Sequence, residues 1–399
     1  MPSVSSAVKD CRVSVIEKEA ERTIHQVWID QVAKAGCALT GMTDRQVRRS
    51  FVPMKSVICS LATLVLFFAN AAHGEGEYKL IKEIPIGGEG GWDILTVDSA
   101  AHRLYLSHAT KVVVVDLEKN SVAGEISDTP GVHGFVVAPE LQRGFSTNGK
   151  EARVSVVDLK TLGTISKVET GENPDALVYE PHRGEVYVFN HTGKSATVID
   201  AKTAKVVSTI PLGGSPEFGA VDSKAGRVYC NLEDKSEVVV IDTGKHEVVA
   251  RWPLAPGEEP TGIALDATHH RLFVACHNKL MAMLDTETGK VVGTVPIGAG
   301  ADGCAFDDAT QLAFASCGDG TTTIAKEETP QKLTVVQTLK TEPRARTMAL
   351  DPQTHRIYLP SAQFQPPPSP SPGASPGRPT MVPYTVKLLV YGPGESAKP

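Results

Sequence analysis

Short apolar runs that close on an aspartate recur along the chain: VVVVD to Asp116, VSVVD to Asp158, ATVID to Asp200, VVVID to Asp242 and MAMLD to Asp285, about 42 residues apart. A second marker keeps step with the first. An aromatic residue in a short apolar stretch after a turn stands at Tyr105, Phe145, Tyr187, Tyr229, Phe273, Phe314 and Tyr358, which makes seven units. The third unit shows the pattern within one period: ALVYE (176–180), EVYVFN (185–190), SATVID (195–200) and KVVSTIPLG (205–213), joined by Pro-His-Arg-Gly, His-Thr-Gly-Lys and Ala-Lys-Thr-Ala. Runs rich in β-branched and aromatic residues between such short, turn-prone links predict strands connected as hairpins.

A four-stranded antiparallel meander of about 40 residues buries both faces only by stacking on its neighbours, so seven of them predict an all-β, seven-bladed β-propeller. The ends predict how the ring closes. Tyr78–Gly87 (YKLIKEIPIG) reads as a fourth strand with no unit before it, and Val386–Tyr391 (VKLLVY) as a third strand with no fourth. The N-terminal strand is therefore expected to complete the last blade and remove an open edge. Residues 75–399 become one domain, with a Pro-rich insertion at 363–383 expected as a solvated, extended loop between the second and third strands of the seventh unit.

Tyr187-Val188-Phe189-Asn190 follows a Gly-containing turn and precedes a strand ending in Ile-Asp, and so resembles the motif of the YVTN repeats. The span 75–399 is similar to the bacterial exported YVTN β-propeller family, although the other units read LYLS, GFST, VYCN, LFVAC, AFASC and IYLPS at that place. The resemblance implies a binding or scaffolding propeller and no single reaction.

Composition adds the compartment and removes one class of partner. A net charge of -6 with no run of Lys and Arg offers no footprint for a phosphate backbone, so no nucleic-acid partner is expected. From Met54 the chain reads Met-Lys, an apolar run Val57–Ala69, then Asn70-Ala71-Ala72, the order of a secretory signal. Residues 54–71 are expected to be that signal, cleaved near Ala71, and 1–53 a mis-annotated or disordered extension, in which Arg48-Arg49-Ser50-Phe51-Val52 resembles a twin-arginine export motif. The apolar run is short of the roughly 20 residues that span a bilayer, so no membrane span is expected after signal removal. A periplasmic or extracellular location follows.

Candidate chemistry sits in the loops around the channel mouth. The loops between blades supply Trp92, Asp93, His133, Asp175, Glu217, Glu259, Asp302, Arg344 and Arg346; those between second and third strands supply His108, Asn190 and His277. Three readings compete. Arg344 and Arg346 would clasp a carboxylate or phosphate with Trp92 as a stacking face, making a module that binds a small molecule or a protein. His108, His133, His191 and His277 with nearby Asp would hold a divalent metal, although no HxH, HExxH or CxxC spacing ties any two together. Or the same side chains serve only the loop backbones.

The binding module is the first expectation. The alternatives are a metal-dependent, lactonase-like hydrolase or lyase, and an accessory subunit of a redox or cell-surface assembly. No nucleophile elbow or phosphate loop appears, and no cofactor beyond a divalent metal is suggested. Arg103, Arg227, Arg271 and Arg356 recur at one repeat position and are expected to be scaffold. Of Cys230, Cys276, Cys304 and Cys317, the expected pair, if a disulfide forms, is Cys276–Cys304; four free thiols are the alternative.

Overall fold

The computed structural model describes residues 76–366 and 379–394. The expectations for 1–53, for the signal at 54–71 and for the middle of the Pro-rich insertion lie outside the described residues. Seven four-stranded antiparallel sheets follow one another along the chain, and the first strand of each contacts the first strands of the sheets before and after it, the seventh returning to the first. This closed cycle is a seven-bladed β-propeller. No helix among the described residues is long and apolar enough to cross a membrane.

Buried apolar side chains fall into seven clusters, one at each seam between adjacent blades. The repeating aromatic has a single job. Tyr105, Phe145, Tyr187, Tyr229, Phe273, Phe314 and Tyr358 are all buried, and each enters the seam with the following blade. Middle strands such as Glu185–Asn190 are buried throughout, because a blade is covered on both faces. Outer strands such as Glu247–Pro253 alternate between exposed and half-buried.

The run-ending aspartates cap turns. Asp116 Oδ1 accepts from the backbone N–H groups of Glu118 and Lys119, and Asp158, Asp242 and Asp285 repeat the arrangement. A carboxylate that bonds its own backbone two and three residues on fixes the tight link to the fourth strand. The recurring arginines are scaffold too: Arg103 and Arg271 donate to the Leu159 and Pro330 carbonyls of the next blade, and Arg227 pairs with Asp242 of its own.

The seventh blade is built from both ends of the chain. Its strands are Ala349–Asp351, Arg356–Ser361, Lys387–Pro393 and, outermost, Tyr78–Pro85. Ile84 is buried in the seam with blade one. Tyr78 packs edge-on against Phe314 of blade six, while its backbone N–H and C=O both bond the Gln337 side-chain amide. Between the second and third strands, Phe364–Gln365 pairs with Thr380–Met381 as a short ribbon.

The Cys276–Cys304 disulfide does not form; all four cysteines in the described residues are free thiols. Strand alternation explains it. Cys276 points, with Leu272 and Val274, into the seam between blades four and five, whereas Cys304 packs with Phe273 and Ala275 in the seam between five and six. Blade five stands between the two clusters.

Several carboxylates are buried at the opposite ends of the strands from the mouth, Asp266, Asp307 and Glu327 among them. Glu327 is pushed up to about 7 by burial and by Asp266, with which it shares a group that includes His269. A carboxyl whose folded pKa is raised loses stability as pH climbs from the ordinary Glu range through about 7. Glu327→Gln should therefore flatten the pH dependence of thermal unfolding between pH 5 and 8 and be the more stable protein at pH 8, by roughly 1–2 kcal/mol. Parallel melting curves for both proteins would show no such divergence if Glu327 ionises normally.

Candidate functional site

The innermost strands share an irregularity. In blades one to six the pairing of first and second strands shifts just after the strand begins, between Trp92/Leu95, Val132/Phe135, Pro174/Leu177, Pro216/Gly219, Pro260/Ile263 and Ala301/Gly303. A bulge releases a side chain from the pleat and re-aims it. The residue re-aimed stands five positions before the strand's last residue: Asp93, His133, Asp175, Glu217, Thr261 and Asp302. The same position in blade seven, counted back from Asp351, is Arg346. One residue per blade thus stands at the equivalent place round the channel; in blade five it is Thr261, which is buried with its hydroxyl donating to the Ala275 and Ala301 carbonyls.

The ring is bound together by charge. His133 Nδ1 lies 2.7 Å from Asp93 Oδ2 and 3.5 Å from Asp175 Oδ1. Arg346 Nε pairs with Asp302 Oδ2 at 3.1 Å. His191, one residue past the second strand of blade three, reaches Glu217 Oε1 at 2.9 Å. Outside this arc His277 stands 3.7 Å from both Glu233 and Glu259.

Burial raises the carboxyls of Asp175 and Asp302 to about 7 against the pull of His133 and Arg346, and each also feels the other ring acids. Asp93 chiefly raises His133, and Glu217 lifts His191 to about 9. As pH rises through about 7 and Asp175 and Asp302 ionise, the funnel therefore comes to set four ring carboxyls against His133, His191 and Arg346.

Six of the twelve sequence-predicted residues belong to the ring: Asp93, His133, Asp175, Glu217, Asp302 and Arg346. Glu259 and His277 flank it. Trp92 opens the first strand of blade one, edge-on to Phe364 at 6.2 Å. Arg344 lies over the Phe364 ring at 4.8 Å, so it and Arg346 serve different partners and make no forked pair. With Gly91 and Met381 these side chains line a cleft of about 520 Å³.

Two of the predicted residues are not at the mouth. His108 is fully buried, packed so closely on Gly88 that a Cβ there would come within 2.6 Å of its ring. Asn190 is buried as well, its Nδ2 donating to Ser195 and Thr197 of the next strand. The last residue of a second strand still belongs to the sheet, and the loop begins one residue later. Thr261 and Glu233 passed unnoticed in the sequence; five-residue spacing from the strand-ending Asp266 would have found the first.

No protein-family model matches the chain, and comparison with curated proteins gives no significant match. Solved structures do match. The chain is similar to a chain of Kuenenia stuttgartiensis hydrazine synthase, with a TM-score of 0.59 at 17% identity over 73% of this chain and 95% of that one. It is also similar to a chain of a mitotic checkpoint complex, with a TM-score of 0.63 at 12% identity over 73% of this chain and 91% of that one. At such identities the likeness is one of architecture, and architecture is what it shows: a β-propeller.

Proposed function

We propose that this protein is an exported binding propeller that takes a small, positively charged ligand at the mouth of its central channel. The ring carries the reading. It sets four carboxyls, Asp93, Asp175, Glu217 and Asp302, among His133, His191 and a single arginine already paired with Asp302. Like-signed groups lining a low-dielectric funnel focus their field on what enters. An acidic ligand would meet the same carboxylates, which is why the clasp expected of Arg344 and Arg346 gives way to a cation site. Export rests on the Met54–Ala72 segment, and N-terminal sequencing of the secreted protein would test it.

Titration calorimetry with spermidine as the cationic probe and citrate as the anionic one tests the site. Spermidine should bind, and Asp175→Asn combined with Glu217→Gln should weaken it roughly tenfold or more. Citrate binding without spermidine binding would reverse the sign of the site and end this reading. A metal-dependent hydrolase or lyase draws on the same arc of histidines and carboxylates and requires a bound ion.

A further inference from the structure

We propose that Asp93, His133 and Asp175 hold one divalent transition-metal ion at the channel mouth. The inference rests on the cation-site reading and names its occupant.

The argument starts from donor spacing. Bonds of about 2.0–2.2 Å to one ion set neighbouring donors about 3.0–3.6 Å apart. Of the separations from His133 Nδ1 to the two carboxylate oxygens, 3.5 Å falls in that range and 2.7 Å just short of it, and all three donor atoms lie within 4.8 Å of one another. One imidazole nitrogen and two carboxylate oxygens, with no sulfur, suit zinc, cobalt, nickel or manganese. Three protein donors at the open end of a funnel leave coordination positions free for water or a ligand.

The carriers of these donors are fixed in place. Thr347 of blade seven donates to the Asp93 carbonyl at 3.0 Å, and Thr147 of blade two to the Asp175 carbonyl at 2.6 Å. The Thr147 hydroxyl also accepts from Gly134 N–H, next to His133. Hydroxyls that reach across blades at Asp93 and Asp175, and within blade two beside His133, thus pin the backbone at the ligand positions, which limits the reorganisation that binding requires.

An adjoining trio shares Asp175 with His191 and Glu217. It fits an ion less well. His191 Nδ1 is shared between Glu217 and the Pro216 carbonyl, 3.2 Å away, and an ion in place of its hydrogen would leave that carbonyl without a donor. Nδ1 of His133 faces carboxylates alone, and there an ion can replace the hydrogen that joins them, as both carboxylates are ligands in their own right.

Metal analysis of the purified full chain, followed by calorimetric titration of EDTA-treated protein with Zn²⁺ and visible spectroscopy of its Co²⁺ form, tests the proposal. Expected are one ion per chain, a loss of affinity of roughly tenfold or more in His133→Gln and in Asp175→Asn, and a changed Co²⁺ spectrum in His133→Gln. His277→Gln, which alters another mouth histidine between two carboxylates, should bind as the unaltered protein does. Circular dichroism of each variant confirms that it is folded.

Absence of Zn²⁺ and Co²⁺ binding, or binding that His133→Gln leaves intact, overturns the proposal. Spermidine binding that persists while the metals fail would leave the cation-site reading standing. Failure of both would remove it as well.

Discussion

A chain that begins at Gly88 should not fold to a monomeric, cooperative propeller. It loses the strand Tyr78–Pro85, which pairs along its length with Lys387–Pro393, and with it Ile84 from the seam between blades seven and one and Tyr78 from the seam between six and seven. The loss strips one seam partner on each side of a blade and bares an edge whose Leu388, Leu389 and Val390 are buried in the intact ring. An unpaired apolar edge is a site for aggregation. Aggregation or loss of a sharp thermal transition is the expected result.

The same strand supplied from the other end should rescue the fold. Gly394 N–H bonds the Glu77 carbonyl, so a short linker from Gly394 back to Gly76 makes an ordinary hairpin. A permuted chain running from Gly88 to Gly394, through that linker and on to Gly87 should melt cooperatively. A soluble, cooperatively melting Gly88 truncation would show that the strand is dispensable.

Gly262→Ala should be nearly as damaging for its size. A Cβ there would lie 2.5 Å from the Asp302 carbonyl oxygen and 2.6 Å from the Cys304 nitrogen, both backbone atoms of the next blade's innermost strand. Backbone cannot rotate aside as a side chain can, so blades five and six must separate where the ring is built. The expected cost is about 3 kcal/mol. Because Thr261 and Asp302 flank the contact, ligand affinity should fall too. Gly91→Ala, whose new methyl would meet nothing within 4 Å, is the control. Equal denaturation midpoints for both variants would refute the close approach.

The architecture was legible because its signals are local: an aspartate ends the third strand of each of the first five blades and caps the turn, and an aromatic fills each seam. The ring was legible only in part. Glycines and prolines flagged the loops that carry Asp93, His133, Asp175 and Glu217, but a bulge changes the register, and no count of alternating residues shows that these side chains share one level. Thr261 was hidden by its more conspicuous neighbours Glu258 and Glu259.

The arginines misled for a related reason. Two residues apart on a strand, they would point the same way, but the first strand of blade seven is only Ala349–Asp351, and Arg344 takes a positive φ of 70°. Their side chains part accordingly. The cysteine pairing, by contrast, was open to correction from sequence: Cys276 and Phe273 are three residues apart on one strand and must face opposite seams.

The closing strand also decides how the molecule yields to force. Glu77 and Gly394 leave the last blade side by side, at the same end of an antiparallel ladder. Tension drawn between them loads the rungs one after another, as in opening a zipper, and never all together in shear. The blade would peel from its outer edge inward, drawing Tyr78 from the seam with blade six first and Ile84 from the seam with blade one last. Tyr78, tied across to blade six by Gln337 and the Phe314 ring and held within blade seven by the His355 carbonyl, stands at the rung where that tension enters.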